Sequence, residues 1–446
     1  MAASENLPEL LNVLEDLMRR ATAAGADAAD AGLSRDSSLS IGLRLGQREK
    51  LERSESQDVS LRVFVGKRQA IVSTSDLSTS MLDELAQRAV AMARAVPEDP
   101  FCGPAEPELL ARSWPELEAL DPNEPSEAAL TEKLHLAEDA ARAVPGITNS
   151  EGAEAGWGRV DMALIGSNGF SGHFSLTRFG LSVSVIAGEG TLMERDYDYS
   201  STVFGADLAD PAALGKAAGE RAVKRLNPRK VQTAKLPIIF DPRISNGLVG
   251  HLVGAINGGS IARGTSFLKD QMGKQIFADG ITIVDDPHRP RGLRSKPFDG
   301  EGVANHRSNL VENGVLQTWL LGCREARQLG LKSTGHGSRG GSPSASNVYL
   351  QPGKISPTEM IKAIDRGFYV TELIGHGVNG VTGDYSRGAA GFWIENGELA
   401  YPVSEVTIAS NLKDMFRAIT PANDLVFRYG TDAPTLRIDG MTIAGA

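Results

Sequence analysis

The sequence predicts an α+β fold, with antiparallel sheets and flanking helices in the N-terminal region and a β-rich, hairpin-built C-terminal domain. Three observations support this prediction. Helical apolar periodicity is confined to a few segments, the segments between them alternate like half-buried strands, and tight turns join those strands instead of helical crossovers. The chain has 446 residues, about three times the length of a typical domain, so we expect two or three domains.

Residues 1–96 are predicted to form an N-terminal α+β domain. The first leucines recur every three or four residues and predict an amphipathic helix. Alternating apolar runs follow, and Gly66-Lys67 between two of them is typical of a two-residue hairpin turn. A second helix is expected from Ser78 to Val96, because a proline follows directly.

The next segment, residues 97–125, contains seven prolines that interrupt any regular element. We therefore expect a linker or a loop wrapped over the surface. Residues 126–234 then repeat the order of helix, strands and helix, with the helices beginning near Ser126 and Pro211. This pattern predicts a central α+β domain of antiparallel strands.

Residues 235–446 are predicted to form the C-terminal β-rich domain. Two segments in it look alike, NLVENGVLQTWLL and FWIENGELAYPV, and each places a tight turn between two apolar strands. The turns Asn313-Gly314 and Asn396-Gly397 are strong hairpin signals. We expect few helices in this domain, one of them in the small-residue segment ISNGLVGHLVGAI.

Composition excludes several classes of partner. The 46 basic and 56 acidic residues give a net charge of −10, which argues against nucleic acid or an anionic membrane as the main partner. No apolar run is long enough to predict a membrane span, and the N-terminus lacks the pattern of a signal peptide. Cys102 and Cys323 lie far apart, as is typical of reduced thiols. We therefore expect a cytoplasmic protein.

The common catalytic motifs are missing from the sequence. None of the seven histidines lies within four residues of another, so no pair can place two imidazoles on one helix face. The sequence contains no GxSxG nucleophile motif. Two GxGxxG matches, Gly335–Gly340 and Gly375–Gly380, are followed by loop-forming residues where a dinucleotide site needs a helix. We expect neither a metal site nor a catalytic residue in this chain.

The two glycine-rich loops are nevertheless candidate binding elements, because glycine lets the backbone approach a ligand closely. His336 lies in the first loop and His376 in the second, which continues into Asp384, Tyr385 and Arg387. Two interpretations stay open for the second loop. Asp384 and Arg387 form an ion pair that only ties the loop together, or these side chains form a binding surface.

Four long runs carry a resemblance: FYVTELIGHGVNGVTGDYSRGAAGFWIENGELAYPVSEVTIASNLKDMF, GLVGHLVGAINGGSIARGTSFL, KPFDGEGV and LGLKSTGHG. Through them most of the chain resembles the TldD/PmbA family of cytosolic zinc peptidases, and specifically its PmbA (TldE) branch. The resemblance implies, for the TldD branch, a His-Glu-x-x-x-His zinc motif on one helix and a Cys ligand near the C-terminus. In this sequence the matching helix positions hold Val249, Gly250 and Gly254, His251 has no second histidine in reach, and the Cys is missing.

The resemblance therefore implies the subunit of a two-component zinc metalloprotease that lacks the zinc motif. Zinc is expected in a TldD-like partner subunit, with which this chain would form a heterodimer around a cavity for short or unfolded peptides; alone it would form a homodimer. The residues expected to line this peptide cavity are His251, His336, His376, Asp384, Tyr385 and Arg387. The alternative is a homodimeric, non-catalytic peptide-binding or regulatory protein. A self-sufficient, metal-independent peptidase is disfavoured, since no nucleophile and base were found.

Overall fold

The computed structural model describes residues 7–445, and its mixture of helices and largely antiparallel sheets confirms the predicted α+β class. Residues 1–6, where we predict no signal peptide, and Ala446 lie outside the described residues. No described helix is both long enough and apolar enough to cross a lipid bilayer.

The first half of the chain contains one six-stranded antiparallel sheet. Its strands are β1 (Ala28–Arg44), β2 (Gln47–Val65), β3 (Arg68–Thr74), β4 (Ile147–Gly166), β5 (Ser171–Ala187) and β6 (Glu194–Thr202), in the order β3-β2-β1-β4-β5-β6. The predicted Gly66-Lys67 turn joins β2 to β3. Because β1 pairs with both β2 and β4, the regions 1–96 and 126–234 share a single sheet.

Four helices cover one face of this sheet. They are α1 (Leu7–Ala23), α2 (Thr79–Ala95), α3 (Glu127–Arg142) and α4 (Pro211–Lys224). The first pair packs on one end of β1 around Leu33, and the second pair packs on the other end around Ile41. Both residues are odd-numbered, and alternate side chains of a strand share a face, so both helix pairs lie on the same side. Ser126 caps α3 by accepting from the amide of Ala129, as its position in the sequence predicts.

The C-terminal domain contains two further sheets. The five-stranded sheet has the order β10-β9-β8-β11-β16 and the six-stranded sheet the order β14-β13-β12-β7-β17-β15. The strands are β7 (Ala234–Phe240), β8 (Ile283–Asp286), β9 (Ser308–Glu312), β10 (Val315–Leu316), β11 (Asn347–Leu350), β12 (Arg366–Ile374), β13 (Asp384–Glu395), β14 (Glu398–Asn411), β15 (Ile419–Pro421), β16 (Thr431–Asp432) and β17 (Leu436–Ala444). Since β14 also pairs with β17, five of these strands close into a ring.

Both predicted Asn-Gly hairpins are present, between β9 and β10 and between β13 and β14. Asn313 and Asn396 have φ values of 46° and 51°, and their glycines also have positive φ, as type I′ turns require. The parallel pairs β7–β12 and β11–β16 were not predicted. They join segments far apart in sequence, for which no local pattern exists.

The helices of this domain are α5 (Pro242–Ala255), α6 (Gly258–Ala262), α7 (Cys323–Leu329), α8 (Pro357–Lys362) and α9 (Leu412–Arg417). Asp241 begins α5 by accepting a hydrogen bond from the amide of Arg243. Leu248, Val249 and Leu252 of α5 are buried in the largest core cluster, together with residues of both C-terminal sheets. This packing fixes α5 and directs its opposite face outward.

The C-terminal domain packs on the face of the N-terminal sheet that the helices leave open. Charged side chains form hydrogen bonds across this interface, which we call the seam. Arg62 donates to Asp30 at 2.7 Å and to Glu301 at 3.3 Å, and Arg339 donates to Asp30 at 2.6 Å. The proline-rich segment 97–125 is wrapped over the same region, with one short 3₁₀ turn in it. Arg327 of α7 binds three of its carbonyl groups.

Candidate functional site

The start of β13 and the helix α5 bring together three of the predicted residues, which are Tyr385, Arg387 and His251. Strand alternation exposes Asp384 at the surface and turns Tyr385 into the core, where only 1% of its surface is exposed. The ring of Tyr385 meets the ring of His251, on α5, edge to face with 5.9 Å between centroids. Arg387, two residues further on the same side of β13, is half-buried near this pair.

The environment of this group controls its protonation. Burial, and then the positive charge of Arg387, lower the pKa of His251, so its imidazole is neutral at pH 7. Burial raises the pKa of Tyr385, so the phenol keeps its proton. The Tyr385 hydroxyl is buried and has no hydrogen-bond partner within the described chain. A buried polar group without a partner costs free energy, and such groups are few in native structures.

Arg387 carries an unneutralised charge. Its Nε donates to the carbonyl of Ile374 at 3.3 Å, and no carboxylate oxygen of residues 10–445 lies within 4.0 Å of its guanidinium. The structure does not contain the Asp384–Arg387 ion pair that we considered. Asp384 instead accepts hydrogen bonds from Thr382 and Asn411, at 2.6 and 3.0 Å, and these bonds lower its pKa. The ion-pair interpretation is therefore wrong, and the binding surface stays a prediction.

The outward face of α5 next to His251 is formed by glycine. Gly247, Gly250 and Gly254 follow a three- and four-residue spacing, are exposed, and have open space where a Cβ atom would project. A helix face without side chains lets another chain approach the helix backbone closely. The site thus consists of a bare helix face beside a neutral imidazole, a phenol and a guanidinium.

The other two histidines lie in different surroundings. His336 is 4% exposed; its Nε2 lies 2.7 Å from the Asp285 carboxylate and its Nδ1 2.8 Å from Thr334 Oγ1. His376 is exposed in the loop between β12 and β13. Within the described residues, neither imidazole contacts the ring of His251 or Tyr385. Both ring nitrogens of His336 form hydrogen bonds within the protein, so this side chain stabilises the fold.

A cavity of about 390 Å³ at the seam contains charged residues that sequence analysis missed. Lys296, Asp299 and Arg339 line it beside apolar side chains of the N-terminal sheet, and none of the six predicted site residues does. Burial, and then the charge of Glu301, raise the pKa of Asp299 to about 7, while burial lowers the pKa of Lys296. The only signal in the sequence is a Lys and an Asp flanking a buried Phe in KPFDGEGV, which is weak.

The residues around His251 do not fit a zinc ion. Across residues 10–445, no three His, Cys, Asp or Glu side chains are grouped in a way that could hold a metal. Cys323 is 2% exposed, and its burial and the charges of Glu301 and Asp299 raise the pKa of its thiol far above the usual value. A thiol in such surroundings is inert as a nucleophile.

Comparison with known proteins agrees with this architecture. Models of the PmbA/TldA metallopeptidase family match residues 29–93 as domain 1, 120–226 as the central domain and 233–445 as the C-terminal domain. Metalloprotease PmbA of Escherichia coli O157:H7 is 41% identical over 94% of this chain and 93% of its own length. A PmbA homolog of Haemophilus influenzae is 36% identical over 100% of both chains.

Solved structures share the fold. A putative modulator of DNA gyrase from Bacteroides thetaiotaomicron has a TM-score of 0.91 at 27% identity and covers 100% of both chains. TldE from Thermococcus kodakarensis has a TM-score of 0.86 at 22% identity, over 97% of this chain and 100% of its own. A TldD homolog of Buchnera aphidicola is 25% identical over 50% of this chain and 51% of its own. The chain therefore belongs to the PmbA/TldE family of metallopeptidases.

Proposed function

We propose that this chain is the peptide-binding, zinc-free subunit of a cytoplasmic two-component metalloprotease. Its partner is a TldD-like subunit that supplies the zinc ion and the hydrolytic step, and their shared cavity admits short or unfolded peptides. The observation that carries the proposal is the unneutralised Arg387 beside His251 and the bare face of α5. Family membership supplies the class of reaction.

An extended peptide fits this surface chemically. Peptide backbone approaches the glycine face of α5, where no side chain keeps it away. Arg387 presents a forked donor to a peptide carbonyl or to a C-terminal carboxylate, which it binds through charge-assisted hydrogen bonds. The Tyr385 ring, which packs edge to face on His251, lies beneath this surface. These groups hold and orient the substrate.

The assignment of zinc to the partner is supported by the residues of α5. Val249 is buried in the core and Gly250 and Gly254 have no side chain, so none of the three offers a ligand. His251 alone cannot hold a metal ion. The chemistry that zinc would supply in the partner is polarisation of the scissile carbonyl and activation of a water molecule.

Complementation tests this proposal. The purified chain is assayed for zinc content and for cleavage of unfolded peptides, alone and mixed with a TldD-like subunit. We expect well under one zinc ion per chain and no cleavage alone, and chelator-sensitive cleavage by the mixture. Tightly bound zinc that His251→Ala removes, or cleavage by the lone chain in chelator, would contradict the proposal. A stable homodimer that binds peptide but does not bind the TldD-like subunit would favour the regulatory alternative.

A further inference from the structure

A second polar pocket lies away from the candidate peptide site. It has a volume of about 370 Å³, within the range of small-molecule sites. It forms where the end of β6 meets the segment 289–293 and the segment 427–432. The first of these segments belongs to the sequence HRPRGLRSK, which contains three arginines and a lysine but no acidic residue.

The positive charge around this pocket is only partly neutralised. Arg289 and Arg428 line it, while Arg178 and Arg294 adjoin it through Leu293 and Gly430. Among residues 10–445, no carboxylate oxygen lies within 4.0 Å of any of these four guanidinium groups. In a chain with a net charge of −10, four neighbouring arginines without an ion pair are unexpected.

Specific contacts hold these arginines in place. The guanidinium carbon of Arg289 lies 3.3 Å from the centroid of the Phe427 ring, a cation–π contact. Arg178 donates to the carbonyl of Leu293. The stem of Arg294 packs on Gly430, where a Cβ atom would lie 2.7 Å from Arg294 Cγ. Partial desolvation, and then the charge of Arg294, lower the pKa of Arg178, so these two guanidinium groups repel each other.

The acidic residues of the pocket already have partners. Asp432 is 3% exposed and accepts hydrogen bonds from the amides of Arg428 and Tyr429, at 2.8 and 2.9 Å. Burial raises the pKa of Asp432, while its backbone hydrogen bonds, and then the nearby charge of Arg289, lower it only in part. Asp207 is bound by Arg291, at 3.0 and 3.2 Å. The pocket therefore keeps an excess of positive charge.

The pocket continues into an aromatic depression. The pocket and the depression share Phe427 and Arg428. The depression has a volume of about 360 Å³ and is also lined by Tyr199. The Tyr199 ring lies 5.2 Å from that of Tyr429. A flat apolar group can pack on such a surface while an attached anion reaches the arginines.

We infer that this pocket binds an oxyanion, a phosphate or a carboxylate, carried by a small molecule with an aromatic or apolar body. Forked guanidinium donors match both anions, and the hydroxyl of Ser201 at the pocket wall is a further donor. The two sources of the anion are a phosphorylated metabolite and a carboxylic acid. The proposal is independent of the peptide site.

Titration calorimetry with phenyl phosphate and with benzoate tests the pocket. We expect binding that weakens with added salt and falls by about tenfold or more in Arg289→Gln and in Arg428→Gln. Arg428→Lys, which keeps the charge, should retain part of the affinity. Arg88→Gln on α2 is the matched control, because Arg88 is 44% exposed and outside the pocket. Thermal melts of each variant verify folding.

The comparison between ligands identifies the anion. Tighter binding of phenyl phosphate supports the phosphorylated source, and tighter binding of benzoate supports the carboxylic acid. Inorganic phosphate should bind more weakly than phenyl phosphate, since it lacks the ring that contacts Tyr199. Absence of binding of both aromatic anions at millimolar concentration, or equal binding by both Gln variants and the wild type, would overturn the proposal.

Discussion

The two Gly-His-Gly loops share a tripeptide but have opposite structural environments. In the first, His336 is buried against Asp285 of β8, and Gly337 donates its amide to Asp299 at 2.7 Å. In the second, His376 is exposed. The arginines that follow the two loops also differ in their partners. Arg339 is bound to Asp30 across the seam, whereas Arg387 has no carboxylate partner in the described chain. Partners remote in sequence therefore decide whether such a loop stabilises the fold or faces a ligand.

The largest difference in stability is expected between alanine variants of the two loop histidines. His336→Ala leaves the Asp285 carboxylate, 1% exposed, without its side-chain partner, and should lower the free energy of unfolding by about 3–5 kcal/mol. His376→Ala should change it by no more than about 0.5 kcal/mol. Denaturant unfolding of both variants measures the difference. Equal stability of the two would remove the distinction between the loops.

The arginine of the first loop should have the next largest effect on stability. Arg339→Ala removes its hydrogen bonds to Asp30 and Ser60 and should cost about 3 kcal/mol, because Asp30 then keeps only Arg62 in the seam. Limited proteolysis of the segment 97–125, which is wrapped over this region, should accelerate. A cleavage pattern like that of the wild type would mean that the seam does not depend on Arg339.

The arginine after the second loop should instead affect activity. Arg387→Ala should change stability by less than about 0.5 kcal/mol, since it has no carboxylate partner among the described residues. Loss of a charge-assisted hydrogen bond, about 1.5–3 kcal/mol, should lower the kcat/KM of the assembled protease roughly 10- to 100-fold.

Arg387→Lys separates charge from the forked donor geometry and should recover part of the activity. Arg88→Ala is the control for removal of an exposed arginine, and it should leave kcat/KM unchanged. A lowered melting temperature of Arg387→Ala with normal kcat/KM would assign Arg387 to the fold and not to peptide binding.

The last prediction concerns the pH dependence of stability. The pKa of Asp299 is raised to about 7, so the folded protein binds a proton that the unfolded chain has lost above about pH 4. Stability from this group is present at low pH and declines as pH rises toward 7, with a slope of at most about 1.4 kcal/mol per pH unit. Asp299→Asn should flatten the dependence of stability on pH between about 4 and 7. Parallel curves for variant and wild type would contradict a protonated Asp299.

Local parts of the fold were predictable from sequence because their causes are local. Ser126 caps the helix that follows it, and Asn396-Gly397 adopts the positive φ values that its hairpin needs. The contact of His251 with Tyr385 was not predictable as geometry, since it depends on how α5 packs against β13. The pairing of Lys296 with Asp299 was not predictable either, because the two residues line one cavity only where the C-terminal domain packs on the N-terminal sheet. Long-range packing leaves no periodic mark in the sequence.

The sheet shared by the first two regions has a consequence for synthesis on the ribosome. β1 ends at Arg44, but its neighbour β4 ends only at Gly166. A nascent chain that has emerged as far as residue 96 therefore exposes one full edge of β1, including Ile41, whose packing partners on α3 and α4 do not yet exist. Exposed strand edges attract chaperones and aggregate readily. Completion of this sheet must wait for more than a third of the chain to be translated.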